Sequence, residues 1–249
     1  MKTGIDVSNH QGKIDWNLVK GKVDFVMIRA GYSTTADLMF ESNATMCKNH
    51  GIPFGVYWAS YALNDVDAID EAKACLSTIK SFKPDLWVAF DFEEFSEKYA
   101  ATKGVKLDGS KMRAIAEAFL QTIKAAGYKP MLYSNVDFIN RAFDKLRGIY
   151  PLWLAQWGVS SPKFPCSIWQ MSSTGKIAGI NGKVDMDIMY DDVNTNFPSS
   201  VDTMFREKYM EIALDIIAGK YGNGAERKKL LKSKNIDVEL AQALVNTMV

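Results

Sequence analysis

The chain of 249 residues has only three cysteines and two histidines. The cysteines (Cys47, Cys75 and Cys166) are odd in number and far apart, which fits neither a disulfide framework nor a metal-ligand pattern. We therefore expect synthesis in a reducing cytoplasm. His10 and His50 are too few for a histidine metal site, and nothing near them indicates a Ser/His triad. The sequence predicts no metal and no cofactor.

An excess of charge and long apolar runs are also missing. The formal net charge of +1 gives no support for binding to nucleic acid or to an anionic membrane. No apolar run approaches the ~20 residues of a membrane span, so we expect no membrane insertion. The first residues, Gly-Ile-Asp-Val at 4–7, already read as a strand, so we expect no signal peptide.

Short apolar segments alternate with helical patterns from residue 1 to about 192, and this length is enough for one large domain. Eight segments predict strands, at 5–7, 25–30, 54–58, 86–92, 131–133, 152–156, 167–170 and 184–189. After Ser110, a plausible N-cap, apolar residues at a three-four spacing predict an amphipathic helix. Buried strands alternating with helices predict an α/β fold with a parallel sheet that closes into a barrel. The last three strands are too close for helices between them, so we expect a TIM-like (βα)5β3 barrel.

The strand at 86–92 leads directly into two carboxylates. Side chains alternate along a strand, which predicts one face with Leu86, Val88, Phe90 and Phe92, and another with Trp87, Ala89, Asp91 and Glu93. The two acids would then lie about 7 Å apart along the backbone, too close for both to ionise easily, so one pKa should rise. Glycoside hydrolysis needs this asymmetry, because a neutral acid protonates the leaving oxygen while an anion stabilises positive charge. A solvated Asp-x-Glu pair is the alternative.

Other strands carry polar or aromatic residues toward the same edge. Active sites of such barrels lie at the C-terminal ends of the strands. Alternation directs eight side chains inward there: Asp6, Arg29, Tyr57, Asp91, Glu93, Tyr133, Trp153 and Asp185. Four acids, an arginine and several aromatics from different strands predict one site.

Four motifs occur in order along residues 1 to about 192: Gly-Ile-Asp-Val-Ser-Asn-His-Gln-Gly at 4–12 with Ile-Asp-Trp at 14–16, Asp-Phe-Glu at 91–93, Trp-Gln at 169–170 and Val-Asp at 184–185. Together they resemble the lysozymes of glycoside hydrolase family 25. The resemblance implies a (βα)5β3 barrel that hydrolyses the β-1,4 bond between N-acetylmuramic acid and N-acetylglucosamine in peptidoglycan.

The resemblance also implies a role for each acid. Glu93 matches the proton donor, and Asp91 would stay ionised, stabilising the oxocarbenium-like centre or orienting the acetamido group. Asp6 and Asp185 match the other two acids and would add negative potential at the cleft floor. Asp187 also points inward by alternation, so it stays open as a substitute for Asp185. The residues leave open whether the reaction retains or inverts configuration.

Sugar binding is expected of aromatic rings, because pyranose C–H faces bury well on them. The candidates are Tyr57, Tyr61, Tyr133, Trp153 and Trp169, each with a role in the core as the alternative. Arg29, an inward arginine, needs either an acid partner or the substrate.

A polar segment with Pro and Ser predicts a linker at 193–200, between a catalytic barrel over 1–192 and a three-helix module over 201–249. Residues 213–227, closing with Val-Asn at 245–246, resemble the cell-wall-binding repeat of some phage lysozymes. Its candidate binding residues are Tyr221, Asn223 and Arg227, the last two for the acidic peptide stem of peptidoglycan. A single copy predicts weak affinity, since tandem copies add avidity.

The leading hypothesis is a bacteriolytic muramidase of the phage endolysin type, whose partner is bacterial peptidoglycan. It would be made in the cytoplasm and act on the cell wall after release, and the resemblance implies release through a holin pore. The alternatives are an inactive carbohydrate-binding barrel, a chitinase-like glycosidase, and a metal-dependent hydrolase using Asp6, Asp91 and Glu93 as oxygen ligands. The sequence does not specify an oligomeric state.

Overall fold

The computed structural model describes residues 1–190 and, further on, positions 212, 215–234, 236, 238, 241, 242 and 245. The chain divides into two compact units, Met1–Thr195 and Asn196–Val249. The predicted linker at 193–200 lies outside the described residues.

The described part of the first unit has nine strands, eight of which close into a barrel. The strands are β1 (Lys2–Val7), β2 (Phe25–Tyr32), β3 (Thr35–Ala36), β4 (Phe54–Ala59), β5 (Val88–Asp91), β6 (Pro130–Asn135), β7 (Leu152–Ala155), β8 (Ile168–Gly175) and β9 (Val184–Met189). The ring closes because β1 pairs with both β2 and β9. The short β3, which the sequence did not predict, pairs with the end of β2 outside the ring. The predicted barrel of eight strands is confirmed.

The last strand departs from the parallel arrangement that the sequence predicts. Strand β9 runs antiparallel to both of its neighbours, β8 and β1, while the other ring pairs are parallel. Only residues 176–183 separate β8 from β9. A parallel connection needs about a dozen residues or more, so this short link forces a hairpin.

Helices follow the first five ring strands and are missing between the last three, as the (βα)5β3 pattern predicts. They are α1 (Trp16–Val19), α2 (Phe40–His50), α3 (Asp65–Ile79), α4 (Glu94–Thr102), α5 (Gly109–Ala125) and α6 (Val136–Phe138), the last continued by a π-helical turn, Ile139–Phe143. Helix α5 buries the apolar face that its spacing predicts. Its N-cap is Asp108 rather than Ser110, because the Asp108 carboxylate accepts the N–H groups of Ser110 and Lys111.

Two apolar layers stabilise the barrel, and the site lies above the inner layer at the open end. The outer layer lies between strands and helices and includes Val88 and Phe90, while Trp87 and Ala89 belong to the inner layer that fills the barrel. Alternation is therefore correct for these residues. The prediction that Leu86 faces outward is wrong, since it packs against the inner layer. It lies two residues before the first residue of β5, and alternation holds only as far back as Trp87.

The second unit has its own small apolar core. Its buried residues are Ile212, Ile216, Tyr221, Leu231, Ile236, Ala241 and Val245. One helix of this unit, α7 (Gly224–Ser233), has both ends within the described positions. Across the parts of both units that the structure describes, no helix has the length and apolar character of a membrane span.

The outer layer makes a stability prediction with an internal control. Leu120 on α5 is 0% exposed and Leu38 is 87% exposed, so Leu→Ala makes the same chemical change in opposite surroundings. We expect Leu120→Ala to lower the free energy of unfolding by about 2–5 kcal/mol, because it leaves a cavity. Leu38→Ala should change it by less than about 0.5 kcal/mol. Urea unfolding measures both, and equal effects would contradict this packing.

Candidate active site

A cleft of about 520 Å³ lies at the end of the barrel where the parallel strands finish. All four predicted catalytic acids line it: Asp6, Asp91, Glu93 and Asp185. Asp91 is the last residue of β5, whereas Asp185 is the second residue of β9. Because β9 is antiparallel, its start rather than its end reaches this edge. Asp6 and Asp185 are direct partners in the β1–β9 register.

The acid pair spans the junction between β5 and α4. Glu93 is the N-cap residue of α4, and its backbone N–H donates to Ser96 Oγ at 3.2 Å. Burial and, to a smaller extent, the Glu94 charge raise the pKa of Glu93 to about 7, while the Tyr133 hydroxyl opposes the rise. Burial also raises the pKa of Asp91, followed by the Glu93 charge, while Arg29 lowers it.

The sequence predicts a raised pKa for one acid of this pair, and the structure raises both. Both carboxyls leave bulk water, and desolvation disfavours the charged form of each. The Glu93 charge further disfavours ionisation of Asp91.

Three further carboxyls lie beside this pair, Asp6 on β1 and Asp185 and Asp187 on β9. Gln170 Nε2 donates to Asp6 Oδ2 at 2.8 Å, and Trp153 Nε1 donates to Asp187 Oδ1 at 2.9 Å. Burial raises the pKa of Asp187 to about 8, and burial together with the charges of Asp187 and Asp185 raises that of Asp6. Asp185 is only partly buried, and burial raises its pKa as well.

Asp187 does not line the cleft. Its side chain is fully buried and its Oδ2 has no hydrogen-bond partner among the described residues. Alternation correctly directs it inward, but it lies two residues further along β9 than Asp185 and is therefore deeper in the barrel. As a substrate-contacting residue it is a wrong prediction, and its neighbours make it a support for Trp153.

Aromatic residues form the walls of the cleft. Tyr57, Tyr61, Tyr133 and Trp153 line it as predicted. The Trp153 ring is nearly inaccessible and packs edge-on against Tyr133 at 4.7 Å and Tyr57 at 5.7 Å, so it supports these rings. The Tyr61 ring packs against Phe95 on α4 at 5.1 Å.

Trp169 lies away from the cleft, which corrects its predicted role in sugar binding. It belongs to the outer layer, and its indole N–H donates to the Gln156 carbonyl at 2.7 Å. The next residue of β8, Gln170, faces inward instead and lines the cleft. In the Trp-Gln motif, alternation from the inward Ile168 selects Gln170 rather than Trp169 as the residue that faces the cleft.

Arg29 has an acid partner that the sequence did not predict. Its Nε donates to Asp37 Oδ2 at 2.7 Å, and another of its nitrogens donates to Asn9 Oδ1. Asp37 is buried and lies outside the four predicted acids. Arg29 thus reaches the cleft while anchored to two loop residues.

Other cleft residues come from a 3-10 turn after β1, the last position of β2 and the first turn of α4, and regular strand alternation does not predict them. Asn9, His10, Tyr32 and Phe95 line the cleft. Trp157 follows β7, is 54% exposed, and donates its indole N–H to Gln170 Oε1 at 3.3 Å. Tyr133 also donates to this oxygen, at 3.1 Å. Gln170 therefore joins Asp6 to two aromatic residues.

The predicted wall-binding residues of the second unit lie close together in sequence but differ in surroundings. Tyr221 is buried in that unit's core, which leaves little of its ring exposed for the predicted role in wall binding. Arg227 donates to Asn223 Oδ1 at 2.8 Å, the Gly222 carbonyl at 3.0 Å and Gln242 Oε1 at 3.1 Å. Asn223 and Arg227 are thus brought together, and the guanidinium already stabilises the turn before α7.

Comparison with known proteins agrees with this geometry. The model of glycosyl hydrolases family 25 matches residues 5–180, most of the barrel. The chain belongs to glycoside hydrolase family 25. A second family model, the CW_7 repeat, matches residues 210–249.

Named relatives of this family 25 chain include bacterial and phage proteins. The autolytic lysozyme of Clostridium acetobutylicum is 30% identical over 190 residues, which are 74% of this chain and 54% of that protein. The lysozyme of Streptococcus phage Cp-7 is 24% identical over 262 residues, covering 97% of this chain and 68% of that protein. The crystal structure of the CTP1L endolysin superposes with a TM-score of 0.68 at 26% identity, covering 80% of this chain and 70% of that one. The chain spans about half the length of the clostridial relative.

The buried Asp187 predicts a pH dependence of stability. Its pKa is about 8 in the folded protein and near 4 when unfolded, so its contribution to stability is complete below about pH 4 and is lost as the pH rises to about 8. In Asp187→Asn, the amide can accept the Trp153 N–H without ionising. We expect this variant to lose less thermal stability between pH 5 and pH 8 than the parent protein.

The matched control is Asp70→Asn, which removes an exposed carboxylate that pairs with Lys73 on the surface. It should keep the parental decline, since exposed pairs contribute little. Melting temperatures measured across this pH range test the prediction. If Asp187→Asn shows the parental decline, ionisation of the buried Asp187 is not its cause.

Proposed function

We propose that the barrel is an N-acetylmuramidase, a lysozyme that hydrolyses the β-1,4 bond between N-acetylmuramic acid and N-acetylglucosamine in bacterial peptidoglycan. The observation that carries the proposal is the acid pair at the open end of the barrel, in which Asp91 is buried, Glu93 is half-buried and the pKa of Glu93 is raised to about 7. The name lysozyme of two relatives supports peptidoglycan as the substrate.

In the proposed mechanism Glu93 is the general acid. A group with a pKa of about 7 is protonated in a large fraction of molecules at neutral pH and can still give up its proton readily. It protonates the leaving oxygen while Asp91, in its ionised form, stabilises the positive charge that develops at the anomeric carbon or orients the acetamido group. Burial strengthens this attraction because little water screens it.

The remaining cleft residues bind and orient the sugar chain. Asp6 and Asp185 add negative potential on the opposite strands, and Gln170 fixes the Asp6 carboxylate. Tyr57 and Tyr61 present rings to the saccharide. Arg29 acts through its contacts, by holding Asn9 at the rim and by lowering the pKa of Asp91.

The second unit targets the barrel to the cell wall. The CW_7 match supports this assignment, and the exposed Asn223 beside Arg227 offers an amide and part of a guanidinium to an acidic peptide stem. The protein acts on the wall after it leaves the cytoplasm, through a pore formed by a separate holin-type protein.

Replacing Glu93 tests the proposed acid directly. We expect Glu93→Gln to reduce the rate of cleavage by roughly 10²–10⁴-fold, because the amide cannot donate a carboxyl proton. The parent protein should release fragments with muramic acid at the reducing end, identified by mass spectrometry of digested peptidoglycan. Near-normal rates in Glu93→Gln, or N-acetylglucosamine at the reducing end, would contradict the proposal.

Glu94→Gln is the matched control, since it removes the neighbouring and exposed carboxylate. It should remain active. Because the Glu94 charge raises the pKa of Glu93, the loss of activity above about pH 7 should begin at lower pH in this variant.

Deleting residues 201–249 tests the targeting role. Retention on insoluble cell walls should fall, because the barrel would then bind through its cleft alone. Cleavage of short soluble fragments should stay largely intact, since all the cleft residues precede position 190. Sedimentation with purified walls measures retention, and equal retention of the shortened protein would overturn the role.

A further inference from the structure

The backbone of one buried serine, Ser60, is part of a hydrogen-bond chain that connects Asp91 to Glu93. Ser60 follows β4, and its N–H donates to the Asp91 carbonyl at 2.8 Å. Its carbonyl accepts a hydrogen bond from Ser96 Oγ at 2.8 Å. The same Ser96 oxygen accepts the Glu93 N–H at 3.2 Å. Hydrogen bonds through Ser60 and Ser96 therefore connect Asp91 to Glu93, in addition to the covalent backbone between them.

This connection extends the sheet beyond its last paired residues. Ala59 and Asp91 are the final partners of β4 and β5, and the Ser60–Asp91 bond adds one step to that ladder. Ser96 is the third residue of α4, so its bonds hold the start of the helix for which Glu93 is the N-cap. Ser60 and Ser96 are 0% and 1% exposed, so water does not compete for these bonds.

A second buried group holds the next residue of the same loop. Glu71 on α3 is buried, and its Oε1 accepts the Tyr61 N–H at 2.8 Å. The Tyr61 ring lines the cleft and packs between Phe95 and Tyr99 of α4, at 5.1 Å and 5.2 Å. Burial raises the pKa of Glu71 to about 7, against hydrogen bonds from the Ser60–Tyr61 segment. Burying a carboxyl costs free energy of folding, and the hydrogen bond that this carboxyl accepts comes from a loop of the cleft.

We propose that Ser96 and Glu71 are positioning residues of the glycosidase site, Ser96 for the acid Glu93 and Glu71 for the sugar-binding Tyr61. This inference rests on the proposed function. The two residues act on different stages of the reaction. A misplaced acid reduces stabilisation of the transition state but not binding of the substrate. A misplaced ring that contacts the sugar reduces binding of the ground state and the transition state alike.

The kinetic signatures of two variants separate these roles. Ser96→Ala should lower kcat by about 10–100-fold and leave KM within about 2-fold, because Glu93 loses its backbone anchor. Glu71→Met should raise KM by about 3–10-fold and leave kcat nearly unchanged, because the side chain keeps its length but no longer accepts the Tyr61 N–H. Glu71→Gln retains an amide oxygen as acceptor and should restore the parental KM. Cleavage of soluble peptidoglycan fragments gives both constants.

Ser134→Ala is the matched control for Ser96→Ala. Ser134 on β6 is also 0% exposed, and its Oγ contacts only the neighbouring Asn135 carbonyl, at 3.3 Å, among the bonds that the described residues show. It should keep the parental kcat and KM. Unfolding midpoints of all variants, measured in parallel, separate lost stability from lost positioning.

The outcomes are distinct. If Glu93→Gln is inactive while Ser96→Ala has the kcat of Ser134→Ala, the positioning role of Ser96 is overturned and the proposed function stands. If Glu93→Gln itself is active, the proposed function fails. A parental KM in Glu71→Met overturns the role of Glu71. If Ser96→Ala does not fold, Ser96→Cys, with its weaker hydrogen-bonding sulfur, decides: a lower kcat supports the role and a parental kcat overturns it.

Discussion

Burial of acidic side chains around one cleft is the constraint on which this active site depends. Asp6, Asp91, Asp185 and Asp187 lie on three strands of one barrel and Glu93 caps the next helix, and burial is the largest cause that raises the pKa of each. They cannot all be ionised in so small a volume, so the site holds protons at pH values where exposed acids have lost them. The barrel, with its apolar interior below and helices outside, supplies the rigidity that keeps these groups together.

The polar contacts around the acids sort them into different roles. Asp6 accepts from Gln170, Asp187 accepts from Trp153, and Arg29 lowers the pKa of Asp91. Glu93 stands at the start of a helix, next to another carboxylate that favours its protonated form. Its backbone is tied through Ser96 to the neighbouring strand connection. Under the proposed function, this separation of environments turns a set of similar acids into one proton donor and its supporting charges.

Strand alternation predicted the acids well because it needs only the side-chain period of two. It placed Asp91 and Glu93 together even though Glu93 lies past the end of β5, since the chain keeps an extended conformation up to the helix. It failed for Leu86, which lies two residues before the start of β5. It also gave no depth, which is why Asp187 was grouped with the cleft residues although it lies beneath them.

What the sequence could not provide was contact between distant segments. The partner of Arg29 is Asp37, on a loop whose course no local pattern indicates. The bridge through Ser60 and Ser96 joins residues 36 positions apart in the chain, and each serine alone is unremarkable in sequence. The sequence around the glycine-rich turn likewise does not indicate that Tyr221 packs into the core of the second unit.

The protonation state of Glu93 is the central claim, and NMR titration of carboxyl carbons measures it most directly. In protein labelled with carbon-13 at the glutamate side-chain carboxyls, the resonance that disappears in Glu93→Gln belongs to Glu93. The account predicts that this resonance titrates with a midpoint near pH 7. A midpoint near 4.3, the ordinary value for glutamate, would contradict it.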